Sequence, residues 1–289
     1  MSAAKEIRSK IKSVQNTQKI TKAMQMVATS KMRKTQERMK AARPYADNIR
    51  RVMAHLAQVN PFAKNTPFLR TPSEIKRAGV ILITSDKGLC GSLNSNSIKL
   101  YYEKIKQFEN DGINVEVCVI GHKGLVASNR VGLNIVSSTV GLGDIPRMEK
   151  IVGPLAGLLK KFHDKELDAI YIVYSHYINT MKQQPVWEQL LPLTERDLKV
   201  EHKLPWDYIY EPSASIVLDQ LVGRYIESVV YQCLVDNMAS EQAARMIAMR
   251  AATDNAGEAI YQLRLMYNKS RQAAITKELA EIVAGAAAV

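Results

Sequence analysis

Forty-two consecutive residues without a glycine or a proline, Ser2 to Arg43, constrain this chain more than any other feature of its sequence. The stretch lacks both residues that most readily end a helix. Within it Ile7, Ile11 and Val14, then Ile20, Met24 and Val27, then Ala28, Met32 and Met39 recur largely at three- and four-residue steps. The spacing predicts a long amphipathic helix. Its apolar stripe slips between Val14 and Ile20, where Thr17 and Gln18 take the expected seam positions, so a strict heptad is not expected. Pro44 is expected to kink or restart the helix, since an internal proline costs about 3 kcal/mol. A second piece should run from Tyr45 to about Val59.

The other end of the chain carries a matching constraint. From Ser213 to Val289 there is no proline, and Leu218, Leu221, Tyr225, Val229 and Cys233 open a second long helix at helical spacing. Met238 to Ala259 is crowded with Ala and Met, small or pliant side chains that let a neighbouring helix approach closely. A helical pattern far beyond 25 residues without caps points to a coiled coil, and the partner within the chain is the N-terminal helix. At about 1.5 Å per residue the two helices reach about 80 and 110 Å. Leaving a common middle region together, they would run antiparallel, and the C-terminal end would project as a single helix. Its tip, Ile282 to Val289, has no charge and needs a covering of other subunits.

Between the helices the pattern changes. Asn60 to Pro72 holds three prolines and reads as a linker. Gly79–Thr84, Val115–Gly121 and Ala169–His176 are short runs rich in β-branched residues, as buried strands should be. Helical faces alternate with them: Ile98, Tyr101, Ile105 and Phe108 make one, Ile151, Leu155, Leu158 and Phe162 another. The expected architecture is therefore α/β, a small parallel-type central domain over 75–205 set between an N-terminal coiled-coil helix, 1–59, and a C-terminal one, 213–289.

Charge matters here through its location. The first 43 residues carry twelve Lys or Arg against two Glu, so +10 of the chain's +12 sits in one element that seeks an acidic partner. Nucleic acid, anionic lipid and an acidic protein loop all qualify. A nucleic-acid binder would interleave aromatics or glycines with its basic residues, and residues 2–43 have neither. Cys90, Cys118 and Cys233 are odd in number and far apart, without CxxC spacing, which suggests neither a disulfide framework nor a zinc site. No apolar run approaches the roughly 20 residues of a membrane span, and no signal peptide is expected, so direct membrane insertion is not expected either.

An enzyme would bring polar groups together at the strand ends. Gly88 and Gly91 in KGLCGS match neither GxxxxGK[ST] nor GxGxxG and fit a strand-to-helix turn. Ser85, Asp86 and the five histidines, His55, His122, His163, His176 and His202, show no triad or metal-ligand spacing. No catalytic residue, metal or cofactor is assigned.

Three stretches carry a resemblance. EQAARMIAMRAATDNA with LRLMYNKSRQAAITKELAEIVAGAA near the C-terminus, KEIRSKIKSVQNTQKITKAMQMVATSKMRK at the N-terminus, and ITSDKGLCGSLN over Ile83–Asn94 together resemble the gamma-subunit family of F-type rotary ATP synthases, in its bacterial form. The resemblance implies a long antiparallel coiled coil with a Rossmann-like α/β domain. It implies a non-catalytic rotor stalk that couples proton flow through a membrane ring to conformational cycling of three catalytic sites. The implied partners are alpha and beta subunits around the coiled coil, an epsilon subunit and the membrane c-ring. The implied place is peripheral, on the cytoplasmic face of the bacterial inner membrane. It further implies that Lys22 and Met24 lie near an acidic lever of the catalytic subunit, and that Arg271 and Gln272 hydrogen-bond one of its loops. A basic helical nucleic-acid-binding protein is the alternative.

Overall fold

The computed structural model describes residues 2–59, 68, 72, 74–193, 211 and 213–286. Apart from Phe68 and Pro72, the expected linker at Asn60–Pro72 lies outside these residues, as do the end of the central segment near 205 and the last three residues of the apolar tip. Two helices dominate, α1 over Ser2–Val59 and α5 over Ala214–Ala286, the latter 73 residues long. The expected restart at Pro44 does not occur, for the proline sits inside α1. Burial explains the tolerance: Ala46, Ile49 and Met53, just beyond it, are buried, with Met53 fully so. Burying a side chain such as Met53 contributes about 1.5–3 kcal/mol, enough to offset most of what the proline costs. No helix among the described residues is long and apolar enough to cross a membrane.

The chain divides into two compact units, Met1–Thr29 with Arg245–Val289, and Ser30–Ala244. The second unit holds a five-stranded sheet in the order β3-β2-β1-β4-β5. Its strands are β1 (Arg77–Ile83), β2 (Asn114–Ile120), β3 (Asn134–Thr139), β4 (Ala169–Tyr177) and β5 (Gln183–Leu191). The helices between them are α2 (Leu93–Asn110), α3 (His122–Val131) and α4 (Glu149–His163). Pairings from β3 through β4 are parallel, as the alternation of strands and helices predicts. The last is not. β5, an edge strand beyond the runs that the sequence marks, pairs antiparallel with β4, so the parallel-type sheet carries one antiparallel edge. Pro185 within β5 suits such an edge strand, where a missing amide disrupts no inner ladder.

Period-two alternation sorts the core. Val80 and Leu82 of β1 join Val117, Val119 and Val173 on one face, under Tyr101 and Ile105 of α2 and Leu125 of α3. Ile81 and Ile83 turn to the other face with Cys118, Ile120, Ile170 and Ile172. There the expected stripe of α4, Ile151, Leu155, Leu158 and Phe162, is buried throughout. The same cluster takes in Ile49 and Met53 of α1 and Val222, Ile226, Val230 and Leu234 of α5. Both long helices are thus rooted in one face of the sheet.

Candidate functional site

The first unit pairs the N-terminal half of α1 with the C-terminal part of α5. Gln18 Nε2 donates to the Thr253 carbonyl at 3.3 Å, and the Thr21 and Thr253 hydroxyls meet at 2.8 Å. A Cβ on Gly257 would lie 3.2 Å from Gln18 Nε2. Moving forward from Gln18 to Thr21 on α1 thus moves back from Gly257 to Thr253 on α5, so the pair is antiparallel as expected.

The seam is more regular than the apolar residues suggest. On α1 the covered positions include a series, Ile7, Ile11, Val14, Gln18, Thr21, Gln25 and Ala28, in alternating steps of four and three, with Ala4, Gln15 and Met24 half-buried beside it. That is a heptad, so the expectation of a broken repeat is corrected. The stripe slips only because polar side chains occupy three consecutive seam positions, while Ile20 and Val27, 60% and 54% exposed, point outward. Thr17 also lies outside the seam, its hydroxyl bonded to Ser13 O one turn back. On α5 the matching series is Met249, Thr253, Ala256, Ile260, Leu263, Tyr267, Ser270 and Ala274. Past Ala274 every side chain described is exposed. Carrying the antiparallel register onward one residue for one brings Arg271 opposite the first turn of α1, where the pairing ends.

Outside the seam both helices present large apolar side chains. Ile20, Met26 and Val27 on α1 and Tyr261, Leu265, Met266, Ile275, Leu279, Ile282 and Val283 on α5 are all exposed. Lys22, Arg271 and Gln272 are exposed and Met24 is half-buried beside the seam. Arg271 has no ion pair among the described residues. Basic residues of α1 form pairs on open surface such as Lys10 with Glu6 at 2.7 Å and Arg33 with Glu37 at 3.4 Å, which each contribute about 0–1 kcal/mol. A rod with an apolar and basic outer surface is suited to being enclosed by a partner with acidic groups.

In the second unit α1 and α5 are tied to the sheet by polar contacts as well. Lys31 Nζ bonds the Asp144 carboxylate at 2.8 Å and Arg38 donates to the Asp144 carbonyl. Gln36 Nε2 donates to Tyr177 Oη at 2.8 Å. The Asp236 carboxylate of α5 meets His176 Nδ1 and accepts the Tyr177 amide. Burial pushes the Asp236 carboxyl above the usual carboxylate range, against the opposing pull of the Tyr177 amide and His176.

The KGLCGS segment lies between β1 and α2. Asn94 closes it from the helix: its Oδ1 accepts the Ser85 amide at 3.1 Å and its Nδ2 donates to Ser85 Oγ at 2.7 Å. Asp86 is also spent on the fold, accepting the amides of His122 and Gly141. His163 pairs with its neighbour Asp164. Among the described residues there is no group of three His, Cys, Asp or Glu side chains able to hold a metal ion. The sequence marks Gln18 at a seam position only as a slip in the stripe, and nothing in its pattern singles out Thr21, Thr253 or the helix-to-sheet contacts of Asp236.

Comparison with known proteins agrees with this geometry. A family model described as ATP synthase matches residues 3–289. The ATP synthase gamma chain of Chromobacterium violaceum is 63% identical over 289 residues, covering 100% of both chains. That of Neisseria meningitidis serogroup A is 59% identical over 292 residues, again covering 100% of both. Among solved structures, the central stalk and c-ring of the Tetrahymena thermophila mitochondrial ATP synthase includes a chain that is 25% identical. It superposes with a TM-score of 0.59 over 81% of this chain and 99% of that one. A chain of the Euglena gracilis mitochondrial ATP synthase shares the fold at 19% identity, with a TM-score of 0.70 over 99% of this chain and 94% of that one.

Proposed function

The chain belongs to the ATP synthase gamma-chain family, and from that premise we infer that it acts as the central rotor stalk of an F-type ATP synthase. It is a non-catalytic subunit. The observation that carries the reading is identity of 63% with a gamma chain over the entire length, so that both long helices and the sheet are covered at once. Nothing in the comparisons favours the nucleic-acid alternative.

The stalk works through asymmetry. A two-helix rod presents different residues in different directions, so three identical catalytic subunits around it each meet a different surface. Each contact shifts its subunit's conformational equilibrium by the difference in binding energy between states, and turning the rod passes those shifts around the ring. Alpha and beta subunits are the partners that would cover Ile20, Val27, Leu265 and the apolar residues from Ile275 to Val283. The epsilon subunit and the membrane c-ring would bind the sheet-bearing unit, and the place of action would be the cytoplasmic face of the inner membrane.

Four residues are proposed as partner contacts. Lys22 is exposed on α1 and Met24 is half-buried beside the seam, a basic head and a pliant apolar one that an acidic, mobile loop could meet on different sides of the helix. Arg271 and Gln272 lie exposed on α5 where the pairing ends. Affinity capture of the tagged chain tests the reading, with alpha, beta and epsilon chains expected in stoichiometric recovery. Capture of nucleic acid with none of these subunits would overturn it.

A further inference from the structure

The sheet has an overhang that α5 completes. The β1 pairing of β4 ends at Val173, whereas the β5 pairing continues to Tyr177. Tyr174–Tyr177 therefore runs past the last β1 partner. Along this stretch one turn of α5 supplies the missing hydrogen bonds. Asn237 Oδ1 accepts the Ser175 amide at 3.1 Å, Asp236 Oδ1 accepts the Tyr177 amide at 2.8 Å, and Ser240 Oγ donates to the Ser175 carbonyl at 2.9 Å. The second Asp236 oxygen holds His176 Nδ1. Other elements reach the same three residues: Ser97 of α2 bonds Ser175 Oγ at 2.7 Å, and Gln36 of α1 bonds Tyr177 Oη at 2.8 Å. Asp236, Asn237, Ser240 and Ser175 are 6%, 2%, 0% and 2% exposed, so water competes little for these bonds.

Apolar contact cannot do what this cluster does. The Val222–Leu234 face of α5 resists being pulled off the sheet, but hydrophobic contact is non-directional and opposes rolling of a helix about its own axis only weakly. Hydrogen bonds fix direction. We propose that Asp236, Asn237 and Ser240 form a rotational lock that transmits torque between the sheet and α5, acting as positioning residues in energy coupling. This rests on the stalk reading.

The test uses the assembled complex in membrane vesicles carrying Asn237→Ala, Ser240→Ala or Asp236→Ala. Three quantities are measured: subunit content, ATP hydrolysis with the proton gradient collapsed, and ATP synthesis against a rising ATP/ADP ratio. Assembly and unloaded hydrolysis should stay within about twofold of wild type, while synthesis under load should fall about fivefold for each bond lost, the factor a buried hydrogen bond is worth. The deficit should grow with load. A merely structural role would lower all three measurements together. Loaded synthesis equal to wild type in assembled Asn237→Ala and Asp236→Ala complexes overturns the lock. So does failed assembly of the single-bond Ser240→Ala variant, which would make these residues folding requirements. Coupled synthesis by a complex from which the chain has been removed would instead refute the stalk reading itself.

Discussion

At Gly121 a missing Cβ decides how β2 passes into α3. The residue has φ +103, and a Cβ there would lie 2.2 Å from the Thr84 carbonyl oxygen, which is backbone and cannot step aside. Gly121→Ala should therefore cost about 3 kcal/mol or more, from strain and overlap together. A denaturant midpoint no lower than wild type would contradict this. The run VEVCVIG shows where β2 ends, but not that Thr84 closes against it, because that contact joins residues 37 positions apart in the chain. Arg271 is the opposite case, a residue whose fold partners say little and whose exposure says more. In the proposed partner contact its guanidinium would offer a forked, permanently charged donor set to an acidic loop, so Arg271→Glu should turn attraction into repulsion. Exposed substitutions seldom alter stability by more than about 0.5 kcal/mol, so the complex should assemble while coupled ATPase and proton pumping fall. Unchanged pumping in a fully assembled mutant complex would mark Arg271 as an ordinary surface charge.

Among the elements, the long helices were plain from the sequence and their seam was not. By its apolar residues alone α1 loses its repeat after Val14, yet the covered positions keep a heptad through the half-buried Gln18, Thr21 and Gln25. Polar seam residues hide a register from any reading based on hydrophobicity. They also make a prediction. Each hydroxyl has a single proton and a carbonyl of its own helix within reach, Gln18 O for Thr21 and Met249 O for Thr253, so the bond between them is not needed for satisfaction. Replacing both with valine removes two hydroxyls together, a change that leaves no orphan across the seam and adds apolar contact. The Thr21→Val, Thr253→Val double variant should be as stable as wild type within about 1 kcal/mol, or more stable. A loss beyond that in thermal unfolding would show that the polar layer carries stability and not register alone. The elements missed in the sequence share a cause. β3 is short and polar, NIVSST, β5 contains a proline, and α3 carries a glycine in only 10 residues, so each owes its form to the sheet beside it.

For the whole molecule, the proposed function is that of a stalk that turns inside a ring of catalytic subunits. Its apolar and basic outer surfaces on α1 and α5, the heptad seam that fixes the helices to each other, and the sheet in which both helices are rooted all suit a rotor. The cysteine pattern makes rotation directly observable. Cys90, Cys118 and Cys233 are all buried, whereas Met181, at the β4–β5 turn, is 79% exposed. A Met181→Cys substitution therefore gives one reactive thiol on this chain. In a complex fixed to a surface through its catalytic subunits, and with no other accessible cysteine, a bead on that thiol should turn in one direction when ATP is added. It should pause three times per turn, once for each catalytic subunit. ATP hydrolysis at a normal rate beneath a bead that only fluctuates about a fixed angle would contradict the account.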